Sequence, residues 1–239
     1  KQSIFQYNPS GVFVHVPKCA GTTAQGIFKK CGYKLYRKNE EYRAHLTLSE
    51  TIRILKKSYP LDVIKKMNIY ITLREATSWM ESFYRYIIEK EPKIHGCTWE
   101  YENFKKYGML KYIEMSLSRE RYLGQIPIEA NELPYRKLSS YISLKDFDIN
   151  GIENTKVFIF ATNSLDSLVE NLSGSKKHFN TGNCNSTSGK KIMLDELGND
   201  YLKFGKLKND IHDYHYSEIS FEERLFNEGF YFTTLKDLQ

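Results

Sequence analysis

The chain has 239 residues, 41% of them hydrophobic and 27% charged, which fits a single domain spanning 1–239 and excludes a disordered or collagen-like chain. Lys and Arg number 35 against 29 Asp and Glu, a formal charge of +6; this bias suits an anionic ligand and falls short of the dense basic stripe of a nucleic-acid binder. No apolar run approaches the roughly 18–20 residues that cross a bilayer. The four cysteines, Cys19, Cys31, Cys97 and Cys184, include no C-x-x-C pair, so neither a disulfide scaffold nor a zinc site is indicated, although one disulfide stays open. Two glycosylation sequons, at Asn171 and Asn185, are near what chance gives in so Asn-rich a chain. The chain begins on Lys1, so a signal or anchor upstream of it is beyond this reading.

In chain order, Val12–Val16 is an apolar run that predicts a strand, followed by a Pro-Lys-Cys-Ala-Gly turn and a helix over Thr22–Cys31 with Ala24, Ile27 and Phe28 on one face. Thr47-Leu-Ser-Glu50 has capping-box spacing and opens a second helix that stops near Tyr59-Pro60. Met67–Leu73 predicts a buried strand, and Ala76–Glu89 a helix with a wide apolar face of Trp79, Met80, Phe83, Tyr84, Ile87 and Ile88. The stretch from Glu91 to Leu144 reads as mostly helical, with irregular connections around Gly124 and Pro134. Lys156–Phe160 predicts a strand and Ser164–Leu172 a helix, with Leu165, Leu168, Val169 and Leu172 in helical register. Ser173–Lys191 is polar and predicts a long loop, and Asp200–Leu225 reads as helical. The alternation of strand and helix predicts an α/β fold with a mainly parallel central sheet flanked by helices, whose ligands sit beyond the carboxyl ends of the strands.

Three segments carry chemistry. In His15-Val-Pro-Lys18-Cys-Ala-Gly21-Thr22-Thr23, a glycine turn leaving a strand and opening a helix offers backbone N–H groups and the positive helix end to a phosphate. Thr22 and Thr23 add hydroxyls and Lys18 a mobile charge. The segment is not a Walker A loop, since Ile27 and Phe28 stand where that loop has Lys and Ser or Thr; an ordinary turn with a solvated lysine fits it equally. In the second segment, Arg74 ends a buried strand and Ser82 follows eight residues on, so a guanidinium fork and a hydroxyl are available to one oxyanion. A surface Arg paired with Glu75 or Glu81 is the plainer alternative. The third is Tyr42-Arg-Ala-His45-Leu, where a neutral imidazole just before a helix has the chemistry of a general base. His15 competes with it, but within a strand a structural role suits His15 better.

Together these segments resemble the carbohydrate sulfotransferases that use 3'-phosphoadenosine 5'-phosphosulfate (PAPS), in particular the branch containing heparan sulfate 2-O-sulfotransferase. The resemblance rests on His-Val-Pro-Lys-x-Ala-Gly-Thr-[ST] after one strand and Leu-Arg after another, with a Ser eight residues later before Phe-Tyr-Arg-Tyr. It implies a P-loop-like nucleotide-binding fold and a sulfuryl transfer that needs no metal. By the same resemblance Lys18, Ala20, Gly21, Thr22 and Thr23 hold the 5'-phosphosulfate, Arg74 and Ser82 hold the 3'-phosphate, and His45 is the catalytic base beside Lys18. Asn180, in the polar loop at His178-Phe-Asn180-Thr181, falls in a segment resembling one that closes over the nucleotide. Cys19 stands where the family usually has Thr, and Glu75-Ala76 where it usually has Asp-Pro. Lys176, Lys177, Lys190 and Lys191 are available to an anion, and Asp213-Tyr214 resembles the family's C-terminal helix. His212 and His215 with Asp210 and Asp213 read as a solvated helix face, not a metal cluster.

The expected acceptor is a carbohydrate hydroxyl, with a glycolipid or a small hydroxylated metabolite as alternatives; nucleic acid is not an expected partner. Two other classes stay open: a P-loop-type phosphotransferase or kinase, and a non-catalytic module for sulfated glycan. Lys- and Asn-rich usage leans to a bacterial cytoplasmic enzyme, whereas animal relatives work in the Golgi lumen behind an anchor.

Overall fold

β-Branched and aromatic residues dominate the strand-forming runs Gly-Val-Phe-Val, Asn-Ile-Tyr-Ile-Thr-Leu and Lys-Val-Phe-Ile-Phe-Ala, the residue types that fit a pleated, buried surface. The computed structural model describes residues 4–5, 11–33, 35–36, 45–89, 97–118, 132–174 and 192–239. Their elements, in chain order, are β1 (Ile4–Phe5), β2 (Gly11–Val14), α1 (Gly21–Lys30), β3 (Leu35–Tyr36), α2 (Leu48–Ser58), α3 (Leu61–Ile64), β4 (Asn68–Leu73), α4 (Ala76–Glu89), α5 (Thr98–Leu117), β5 (Lys156–Ala161), α6 (Leu165–Ser173), α7 (Ile192–Glu196), α8 (Tyr201–Tyr216), α9 (Glu222–Glu228) and β6 (Phe230–Thr234). The chain divides into two compact units, one of Lys1–Arg74, Leu138–Asn185 and Ile219–Gln239, the other of Glu75–Lys137 and Ser186–Glu218.

The first unit is an α/β layer structure built on a four-stranded sheet of order β2-β4-β5-β6. β2, β4 and β5 are parallel, with Val14 opposite Ile71 and Leu73 opposite Ala161, and β6 closes the sheet antiparallel to β5. Because side chains alternate across a strand, Phe13, Tyr70 and Phe160 face one side, where α1 and α6 cover them with Ala24, Ile27, Phe28, Leu168 and Val169. The alternate residues Val12, Val14, Ile69, Ile71, Val157 and Ile159 are also fully buried, so both faces are covered, as a parallel sheet requires. Each such side chain contributes about 1.5–3 kcal/mol by leaving water. The parallel register brings the carboxyl ends of β2, β4 and β5 to one edge, and the loops following β2 and β4 leave from it side by side. A short antiparallel pair, β1 with β3, accompanies this sheet.

The second unit is helical. α4 packs against α5 and α8, and α5 is kinked at Gly108, whose φ of 79° is left-handed. There the Glu196 carboxylate accepts from the Met109 and Leu110 N–H groups at 2.8 and 2.9 Å, replacing the intrahelical partners that the kink removes. A side chain at 108 would be strained by this backbone conformation, and its Cβ, 2.9 Å from Glu196 Oε1, would also displace that carboxylate.

Several boundaries differ from those expected. The first strand ends at Val14, so His15 lies just beyond it and Val16 is buried in the loop. The predicted tail helix is interrupted between Tyr216 and Glu222, where Ile219 and Phe221 turn inward. β6 was not anticipated. Gly124 and almost all of the polar segment 173–191 lie outside the described residues. Among the described residues no helix is long and apolar enough to cross a membrane.

Candidate functional site

The loop from β2 to α1 reverses direction through two left-handed residues, Lys18 at φ 60° and Ala20 at φ 56°. Neither has the glycine freedom or the short polar side chain that makes this conformation inexpensive. His45, at φ 72°, is the third left-handed residue of the site. Only Asp146 and Asn199 join them among the described non-glycine residues, and both are types that tolerate it. Such strain costs on the order of 1–3 kcal/mol per residue and concentrates where a surface is shaped for function.

Cys19 anchors the loop. Its carbonyl accepts the Thr72 hydroxyl of β4 at 2.5 Å, its own N–H reaches the Val16 carbonyl at 3.3 Å, and its thiol takes the backbone N–H of Arg74. Burial pushes that thiol up to about 12, against the pull of the nearby Arg74 and Lys18 charges, so it is an inert packing group. Cys19 therefore fastens the loop to the end of β4. The charges of Lys18 and Arg74, 56 positions apart in the chain, thus both act on this one thiol. Burial draws the Arg74 pKa down from its ordinary range, opposed by Cys19.

The first turn of α1 carries Gly21, Thr22 and Thr23 with no side-chain cap, the residue at the cap position being Ala20. The N–H groups of a first helical turn have no partner within the helix and, with Thr22 exposed and Thr23 half-buried, they form a cradle whose partial charge is positive.

His45 stands beside the cradle, immediately before the capping box in which Thr47 accepts from the Glu50 N–H and Glu50 accepts from the Thr47 N–H. Its Nδ1 lies 3.3 Å from the His15 carbonyl. A carbonyl only accepts, so Nδ1 carries the hydrogen and Nε2 keeps its lone pair. The two imidazoles are 4.6 Å apart, tilted by 59°. Burial lowers the His45 pKa, the bond to His15 counteracts this, and the Lys18 charge lowers it further. His15 is lowered to about 3, mainly by burial and then by His45.

Ser82 lies on α4 in the second unit and is 5% exposed. Asn180, Cys184, the lysines at 176, 177, 190 and 191, and residues 41–44 lie outside the described residues. His215 is not on a solvated face as expected: it is fully buried edge-on to Trp79, 5.1 Å away. Burial and then Lys137 bring it to about 3. His212 pairs with Asp213 at 3.5 Å. Among the described residues no group of three or more His, Cys, Asp or Glu is arranged to hold a metal ion.

The charge is unevenly spread. Residues 1–74, which supply the whole assembly around Cys19, hold 14 Lys and Arg against 4 Asp and Glu, so the chain's positive excess belongs to this segment and the remainder is net acidic. That asymmetry is readable from the sequence and was missed by counting over the whole chain, as was Thr72, whose role needs the sheet.

The two histidines held well below their ordinary pKa, fully buried His215 and half-buried His15, have a consequence for stability. Between pH 6.5 and about 3 an unfolded chain protonates them while the folded protein keeps them neutral, so the unfolded state binds more protons and stability falls as pH falls. From pH 6.5 to pH 5 the loss is about 2 kcal/mol for each histidine. Urea midpoints are expected to drop clearly from pH 7.5 to pH 5, and less so in His215→Asn at equal starting stability. Superimposable urea curves at the two pH values would show that these rings are not neutral and buried.

No protein-family model matches the chain, no curated protein matches it, and no solved structure matches it.

Proposed function

We propose that the chain transfers a sulfuryl group from PAPS to a hydroxyl of a carbohydrate acceptor, on a P-loop-like fold. One observation carries the reading: the loop that opens into the uncapped first turn of α1 brings the charges of Lys18 and Arg74 to bear on Cys19, and the same Lys18 charge acts on His45, whose Nδ1 is engaged by the His15 carbonyl so that Nε2 keeps its lone pair. Anion binding follows from the uncapped turn and the two charges, and proton removal from that lone pair.

In this reading the α1 N-terminus and Thr22 and Thr23 hold the 5'-phosphosulfate while Arg74 holds the 3'-phosphate. His45 Nε2 takes the acceptor proton as the acceptor oxygen forms its bond to sulfur. The bond from sulfur to the bridging oxygen breaks, its electron pair stays on the departing 3',5'-phosphoadenosine (PAP), and Lys18 neutralises that charge. Positioning and charge stabilisation supply the catalysis, as in phosphoryl transfer. No step passes through a metal.

Calorimetry with PAP, ATP and a heparin oligosaccharide tests the assignment. Selective binding of PAP is expected; selective ATP binding points to a phosphotransferase, and oligosaccharide binding without PAP to a glycan-binding module. Arg74→Ala is expected to weaken PAP by at least about tenfold, since a charge-assisted contact contributes about 1.5–3 kcal/mol. Unchanged PAP affinity in that variant removes Arg74 from the nucleotide site. Labelled PAPS offered with a panel of glycans, glycolipids and small alcohols then identifies the acceptor class.

A further inference from the structure

His15 lies between the cradle and the base and touches both. Its carbonyl accepts from His45 Nδ1. Its ring runs nearly parallel to that of Phe13, with centroids 6.0 Å apart and planes within 21°, and lies against the α-carbon of Gly21. A Cβ at Gly21 would fall 1.9 Å from His15 Nε2 and 2.0 Å from its Cδ2, a separation no non-bonded pair adopts. Gly21 is therefore a glycine because of His15: its backbone is helical and calls for no left-handed freedom. With Nε2 turned onto the Gly21 backbone, this imidazole does not compete with His45 for an acceptor proton.

We propose that His15 is the positioning residue of the site, its carbonyl fixing the tautomer and orientation of His45 and its ring setting the height of the first cradle peptide at Gly21. This rests on the function proposed above for the role of each partner, whereas the arrangement itself is read from the geometry. One residue thereby sets the base and the nucleotide cradle in a common register, which in-line transfer demands of them. The ring stays neutral at working pH because it is buried, so it acts by shape. Among the described residues the charged or titratable groups facing His45 are His15, from the end of β2, and Lys18, from the loop.

The test is a double-substitution cycle at Gly21 and His15, read by PAP affinity and by the NMR titration of His45 in the free protein, with urea unfolding as the check on folding. Gly21→Ala alone drives a methyl into the His15 ring, and PAP affinity is expected to fall by about tenfold or more. In Gly21→Ala/His15→Ala the obstruction is gone, and affinity is expected to return to within about threefold of His15→Ala alone. In His15→Ala the His45 ring gains water and its titration midpoint moves up towards the ordinary value of about 6.5. His15→Asn, which keeps a polar group of smaller size, serves the same cycle if His15→Ala does not fold. A double variant no better than Gly21→Ala, or a His45 midpoint unmoved by removal of the ring, overturns the proposal. The titration needs no ligand, so a chain that ignores PAP refutes the proposed function while leaving this result to decide the role of His15.

Discussion

In His45→Asn, turnover is expected to fall by about 100-fold or more, within the range that general-base catalysis contributes, while PAP affinity stays near that of the unsubstituted protein. Asn is the replacement of choice because residue 45 sits at φ 72°, a conformation Asn tolerates and Ala does not. Its amide can still donate to the His15 carbonyl but offers no basic nitrogen. The pH profile supplies a second readout. Burial lowers the His45 pKa below 6.5, so Nε2 remains unprotonated into mildly acidic solution and the rate declines only as pH falls through that lowered value. If the proposed transfer holds, the acid limb of the unsubstituted protein's rate is thus expected below pH 6.5, and in His45→Asn it disappears. A variant that turns over normally, or one that loses PAP binding in proportion to turnover, shows that His45 supports the loop and does not remove the proton.

What the sequence made legible is what neighbouring residues decide among themselves. The capping box at Thr47 and Glu50 involves residues three apart, and α4 was readable to the residue because its apolar face repeats through four turns. The cradle was visible because a turn motif is local. The misplacements occurred where tertiary contacts overrode local pattern. Val16 is apolar and buried yet belongs to the loop, and the break after Tyr216 contains neither Gly nor Pro, so the pattern runs through it. Phe230–Thr234 is rich in aromatic and β-branched residues behind Gly229, a local strand signal masked by the helical pattern that precedes it. The site's internal wiring lay beyond sequence reasoning: Thr72 reaches Cys19 across 53 residues and His45 reaches His15 across 30. No spacing rule connects such pairs, and only the parallel register of β2 and β4 brings the first together.

Lys18→Ala tests the other half of the mechanism, stabilisation of the leaving group. Under saturating PAPS its turnover is expected to drop by about 100-fold or more, as when one donor to a developing oxyanion is removed. The comparison is clean with respect to the backbone. Residue 18 is left-handed, and Lys and Ala meet the same Cβ obstruction there, so the substitution removes charge without adding strain. Lys18 also lowers the His45 pKa; removing a positive neighbour favours the imidazolium, so the acid limb of the surviving activity is expected to shift to higher pH. Lys18→Arg retains a charge but spreads it over a planar fork, and should recover His45's titration more fully than it recovers turnover. Loss of turnover together with the upward shift assigns Lys18 to both partners, the departing phosphate oxygen and the base. Full turnover in Lys18→Ala at saturating donor would remove it from the reaction and leave the left-handed loop with an anion-binding role alone.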